Sequence, residues 1–210
     1  MFIELLFQEP RLFVFFLATV VAAVTVHEAA HAWVANQLGD PTARLLGRIS
    51  LNPSRHLDPL GSILFLVAGF GWGKPVPVDS FNLREPIKDN ALIALAGPLS
   101  NVLMAAMAGG IYQLSQGLMP QIGAIGLEIF AFINISLAVF NLLPIPPLDG
   151  SKIYRVILPE VFAPLWDFLD RYGFYVLLII FLTGSELIRS VTRPIMNALL
   201  NLVGFGDSLF

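Results

Sequence analysis

The chain contains no cysteine, which excludes thiolate metal ligands, a cysteine nucleophile and disulfides. Charge is scarce too. Asp, Glu, Lys and Arg make up 13% of 210 residues, roughly half of what a soluble domain carries. The formal net charge of −3 is small, and no basic stripe offers a surface to nucleic acid. Neither a positively charged n-region nor a small-residue cleavage site stands ahead of Arg11, so the start does not read as a removable signal peptide. The first span is expected to act as its own insertion signal. What fills the chain instead is apolar: 56% hydrophobic residues and a mean hydropathy of +0.76. That composition belongs in a lipid bilayer.

A transmembrane helix needs about 20 mostly apolar residues. Core helices are expected at about 11–38, 90–114 and 122–148, with a C-terminal membrane segment at about 172–203. Leu60 to Phe70 is apolar but short, preceded by Pro59 and ended by Gly69-Phe70-Gly71-Trp72-Gly73. It suits a re-entrant segment better than a full crossing. Ala43 to Leu51 reads as a short strand or two, whose exposed edge could hold an extended peptide by β-addition. The expected fold is an all-α membrane protein. It is a bundle of about four transmembrane helices with a re-entrant segment and a short β-hairpin near the cytoplasmic interface, forming one integral-membrane domain over residues 1–210.

Charge sets the orientation. Arg44, Arg48, Arg55, Lys74, Arg84 and Lys88 lie between the first two spans, and Lys152 and Arg155 follow the third. The connection 115–121 carries no Lys or Arg. By the positive-inside rule the charged connections face the cytoplasm from a cell membrane. Arg189 and Arg193 break this pattern unless the last segment turns back and Pro194 to Leu202 re-enters. Trp33 and Trp72 are expected at the interface.

Inside the first span stands His27-Glu28-Ala29-Ala30-His31. Residues i and i+4 share a helix face, so both imidazoles can reach one metal ion with Glu28 beside an attacking water. Ionisable groups are costly in lipid and mark function there. The plainer alternative is a histidine pair hydrogen-bonded inside a bundle. A hydrolytic zinc site usually has three protein ligands and an open position. Asn141-Leu142-Leu143-Pro144-Ile145-Pro146-Pro147-Leu148-Asp149-Gly150 offers the third. Its prolines end the helix and turn Asp149 inward, the alternative being an ordinary turn residue. In a helix finishing near Leu38, His31 lies roughly 10 Å below the end. The three ligands share one depth only if Leu60 to Phe70 doubles back.

These two motifs, with Ala96-Gly97-Pro98-Leu99-Ser100-Asn101 between them, resemble the site-2 protease family of intramembrane zinc metalloproteases. This is peptidase family M50, in its small bacterial and archaeal form. The resemblance covers roughly Val20 to Ile157. It implies Zn2+ held by His27, His31 and Asp149, with Glu28 as general base. It places Asn141, the motif asparagine, near the scissile peptide as a clamp or oxyanion donor. The implied activity is endopeptidase cleavage of membrane-spanning protein substrates in the lipid bilayer, near the cytoplasmic side.

Two other functions compete, a membrane metal transporter and a catalytically silent metal-binding module. A transporter wants exchangeable ligands at several depths, and Glu28 has no role in either alternative. Asn101, close to Gly97 and Pro98, is expected to support the ligands from behind. His56 reads as an interfacial residue bonded to loop backbone. Gly204-Phe205-Gly206-Asp207 matches the GxGD string of intramembrane aspartyl proteases by coincidence, because no Tyr-Asp partner string exists. Gly69 to Lys74 fails the phosphate-loop pattern because Pro75 follows the lysine.

Overall fold

The computed structural model describes residues 7–69, 71–115, 118–183 and 185–205. Three helices carry the architecture: α1 (Pro10–Gln37), α4 (Pro86–Leu114) and α5 (Gln121–Asn141). Pro10 and Pro86 stand at the first helical turn, where a missing N–H costs nothing and φ is already helical. At 28, 29 and 21 residues and 1.5 Å per residue, each reaches the roughly 30 Å of a hydrocarbon core. Among the described residues three helices are long and apolar enough to cross a membrane, or four if the last bent pair is one span.

The three pack on one another through small side chains. Ala23, Ala32 and Ala35 of α1, Ala94 and Ala105 of α4, and Ala131 and Ala138 of α5 are fully buried. Such residues let helix backbones approach where lipid supplies no hydrophobic drive. Leu99, Leu103, Met107 and Ile111 repeat every four residues on α4 and stay exposed, as a lipid-facing stripe does.

Between α1 and α4 the chain forms α2 (Thr42–Leu45), a 3₁₀ turn at Pro53–Arg55, and α3 (Pro59–Ala68). Asp58 caps α3, its carboxylate accepting from the Gly61 N–H at 2.9 Å, and Gly69 ends it at φ +76. The chain then returns to where it started. Leu57 and Gly73 form a β-bridge, and the Lys74 N–H donates to the His56 carbonyl at 2.7 Å. Phe70, at the tip of the sequence-predicted segment, lies outside the described residues.

The expected β-hairpin at 43–51 is not there. Among the described residues the Leu57–Gly73 bridge stands outside any strand. Asp40 accounts for the difference, because its carboxylate accepts from the backbone and hydroxyl of Thr42 at 3.1 and 2.5 Å. That starts a helical turn, and Gly47 ends it at φ +70. The backbone donors of Leu45, Leu46 and Arg48 are satisfied within the turn, by Pro41, Thr42 and Ala43 carbonyls.

After α5 come α6 (Gly150–Ile157), α7 (Ala163–Thr183) and α8 (Ser185–Leu202). The third core helix ends at Asn141 rather than Leu148, and Pro144, Pro146 and Pro147 carry the chain on as irregular turns. A buried stripe of Trp166, Leu169, Gly173 and Leu177 turns α7 toward the body. Gly173 sits so close to the Pro146 carbonyl that a side chain there would collide with it. The axis running through α7 from Glu160 to Thr183 and that of α8 from Ile188 to Leu202 are bent by 87°. Leu200 and Phe205 pack with Ala105, Ala108 and Ile135. Phe205 is thus a core residue, while Gly206 and Asp207 of the GxGD string lie outside the described residues.

Candidate metal centre

The one-turn spacing of His27 and His31 puts both rings on the buried side of α1, edge to face with centroids 4.6 Å apart. Asp149 arrives from the other end of the fold. Its turn can close because Gly150 lies against the carbonyls of Leu142 and Leu143, where a Cβ would clash. Asp149 Oδ2 then stands 3.1 Å from His27 Nε2 and 3.2 Å from His31 Nε2. His27, His31 and Asp149 each offer one ligand atom, all within 4.8 Å of one another.

The donor chemistry fits a metal ion. His31 Nδ1 lies 2.6 Å from the Ile93 carbonyl, which only accepts, so Nδ1 carries the proton and Nε2 points a lone pair at Asp149. Two imidazole nitrogens and a carboxylate oxygen converge at these distances. One divalent cation fits that donor set. Gly97 completes the cradle. A Cβ at that position would run into the Nε2 atoms of both histidines, so the absence of a side chain leaves the space.

Glu28 is half-buried on the next face of α1. A Cβ at Gly73 would lie 3.6 Å from its Oε1 and 3.1 Å from the His56 carbonyl, so the returning loop runs beside this carboxylate. Arg48 holds that loop, its guanidinium donating to the Lys74 and Pro75 carbonyls at 2.5 and 3.0 Å. Its buried Nε has no partner among the described residues. His56 is fully buried, donates from Nε2 to the Ser50 carbonyl at 2.7 Å, and stands apart from the donor cluster. Burial lowers its pKa most and the Arg48 charge adds to that, with the Ser50 bond offsetting part. His56 is therefore a neutral loop anchor.

Asn141 is not joined to the cluster. Its amide donates to the Leu137 carbonyl one turn back, at 3.0 Å. Asn101 is joined, with Oδ1 2.6 Å from His27 Nδ1 and Nδ2 bonded to Asn134. Sequence reasoning missed Asn134 and Ile93 as parts of the site. A lone polar residue in a span was the only available signal for Asn134, and a backbone carbonyl gives none.

Over 202 residues the chain is 39% identical to a Bacillus subtilis (strain 168) protein named "Putative zinc metalloprotease YwhC", covering 92% of this chain and 90% of that one. The chain belongs to peptidase family M50. The family's sequence profile matches residues 107–184, the stretch that contains Asp149 but neither histidine. Rip2 of Mycolicibacterium smegmatis is 26% identical over 82% of this chain and 68% of its own length. MJ0611 of Methanocaldococcus jannaschii is 40% identical over 46% of this chain and 49% of its own. Both bear the same zinc metalloprotease designation. No solved structure gives a significant match.

Proposed function

We propose that this M50 member is an intramembrane zinc endopeptidase, cutting membrane-spanning protein substrates from a site that opens toward the cytoplasm. The observation that carries the reading is the meeting of His27 Nε2, His31 Nε2 and Asp149 Oδ2 at one level, with Glu28 on the same helix beside them. His27, His31 and Asp149 would hold the ion. Zinc bound there polarises a carbonyl and brings the pKa of water toward about 7. Glu28 takes the proton from the attacking water and gives it to the amine that leaves as the peptide C–N bond breaks. Asn141 would serve as the substrate clamp, its amide leaving the Leu137 carbonyl to do so.

Membrane placement follows from charge and length. The cationic connection between α1 and α4, together with Lys152 and Arg155, marks the cytoplasmic side. His31 lies about 9 Å before the end of α1 at Gln37, inside the bilayer yet near water. The paired ends of the 57–73 segment support a re-entrant path for α3, whose 10 residues are too few to cross. A transporter is less well supported, because the donors sit at one depth and Glu28 has no transport role.

Metal analysis tests this reading. Purified protein should hold one zinc per chain, and chelation should abolish cleavage of a single-span substrate until zinc is restored. His31→Ala and Asp149→Ala should each lose most of the zinc and the cleavage together. Undiminished zinc in Asp149→Ala would remove that carboxylate from the ligands.

A further inference from the structure

Asn101 and Asn134 are fully buried, and the direction of their hydrogen bonds is dictated from the far end. The Phe130 carbonyl only accepts, so Nδ2 of Asn134 must face it, at 2.9 Å. Oδ1 of Asn134 then accepts from Nδ2 of Asn101 at 2.8 Å. The same Nδ2 donates more weakly to the Ala23 carbonyl, at 3.2 Å. These contacts leave Oδ1 of Asn101 facing His27, 2.6 Å from Nδ1. An amide oxygen only accepts, so His27 Nδ1 must carry the ring proton and Nε2 must keep its lone pair. A flipped Asn101 would present its NH2 group to Nδ1, send the ring proton to Nε2 and remove His27 as a ligand.

We propose that Asn134 of α5, outside the donor cluster, is a positioning residue for metal binding: it orients the Asn101 amide, which holds His27 in the Nδ1–H tautomer whose Nε2 takes the metal. The inference rests on His27 being a zinc ligand. Asn134 works through a relay of two amides, each satisfied and buried, so a defect at either end is passed to the ring. A partner behind a metal-bound imidazole is typically worth 10- to 100-fold in affinity. Ser136, two residues further along α5, supplies a control, because its buried hydroxyl has no partner among the described residues.

The test is zinc release from the purified full chain into excess chelator. Asn134→Leu should release zinc about 10- to 100-fold faster than wild type, and Ser136→Ala at the wild-type rate. Wild-type release from Asn134→Leu, while His27→Ala has lost its zinc, would overturn the relay alone. Zinc held firmly by His27→Ala would overturn the ligand assignment and the relay with it. A second measurement needs no variant at α5. The chain has 3 histidines, so zinc-loaded wild type labelled with ¹⁵N-histidine can be resolved by NMR. His27 should show a protonated Nδ1 and a metal-bound Nε2. Metal on Nδ1 would overturn the proposal even if Asn134→Leu fails to fold.

Discussion

Gly97 acts through the side chain it lacks, since a Cβ would enter the space between the two Nε2 atoms. Gly97→Ala should therefore cut zinc content at least about 10-fold, comparable to losing a group behind a ligand. Intrinsic helix propensity cannot be the cause of that loss, because Ala is favoured over Gly in a helix by about 1 kcal/mol. Elemental analysis beside a thermal melt separates the two effects, and full zinc in a stable Gly97→Ala would contradict the cradle. At this scale the residues that bind were legible in sequence and the residues that hold them were less so. His27, Glu28 and His31 are announced by their spacing and Asp149 by its prolines. Asn134 meets Asn101 only after two helices pack, and Ile93 contributes a carbonyl that any residue would have.

Among the elements, the link from α1 to α4 departs furthest from its sequence pattern. The aliphatic run around Leu45 and Leu46 suits a strand, but Asp40 turns it into a helix start. Asp40 also accepts from the Asp79 N–H at 2.8 Å and from the Asn82 amide at 2.9 Å, which ties both ends of the link together. The end of α5 was misplaced for a related reason: hydropathy runs on to Leu148, whereas the hydrogen-bond ladder stops where prolines cannot donate. Burial pushes the Asp40 pKa up, yet the bonds from Thr42, Asn82 and Asp79 outweigh it, and the net shift is below the ordinary 3.8. With the folded value depressed, the unfolded chain binds protons first as pH falls. Asp40 therefore stabilises fully above about 4 and progressively less as pH drops through the folded value. Asp40→Asn leaves one of these donors without an acceptor and should cost about 1–3 kcal/mol at neutral pH. Melts in detergent should show the gap between wild type and Asp40→Asn narrowing below pH 4, and a gap that widens in acid would contradict the assignment.

For the whole molecule, three small-residue helix seams bring His27, Asn101 and Asp149 from distant parts of the chain to one level. The proposed site needs α3 to enter and leave the membrane on one side, so topology and site are tested together. The chain has no cysteine, which makes single-cysteine labelling clean. Arg44→Cys and Lys152→Cys should react with an impermeant reagent only from the cytoplasmic side, and Leu118→Cys only from the other. Labelling of positions 44 and 152 from opposite sides would separate α1 from Asp149 and end the shared site. The most direct measurement is cleavage of a single-span substrate in reconstituted vesicles by Glu28→Gln, with zinc quantified in the same preparation. Gln matches Glu in size, and Glu28 is not in the ligand cluster, so zinc should remain at the wild-type level. An amide cannot take the water's proton at neutral pH, so turnover should fall by at least about 100-fold. Loss of turnover with zinc retained is the predicted result, and robust cleavage by zinc-loaded Glu28→Gln would contradict it.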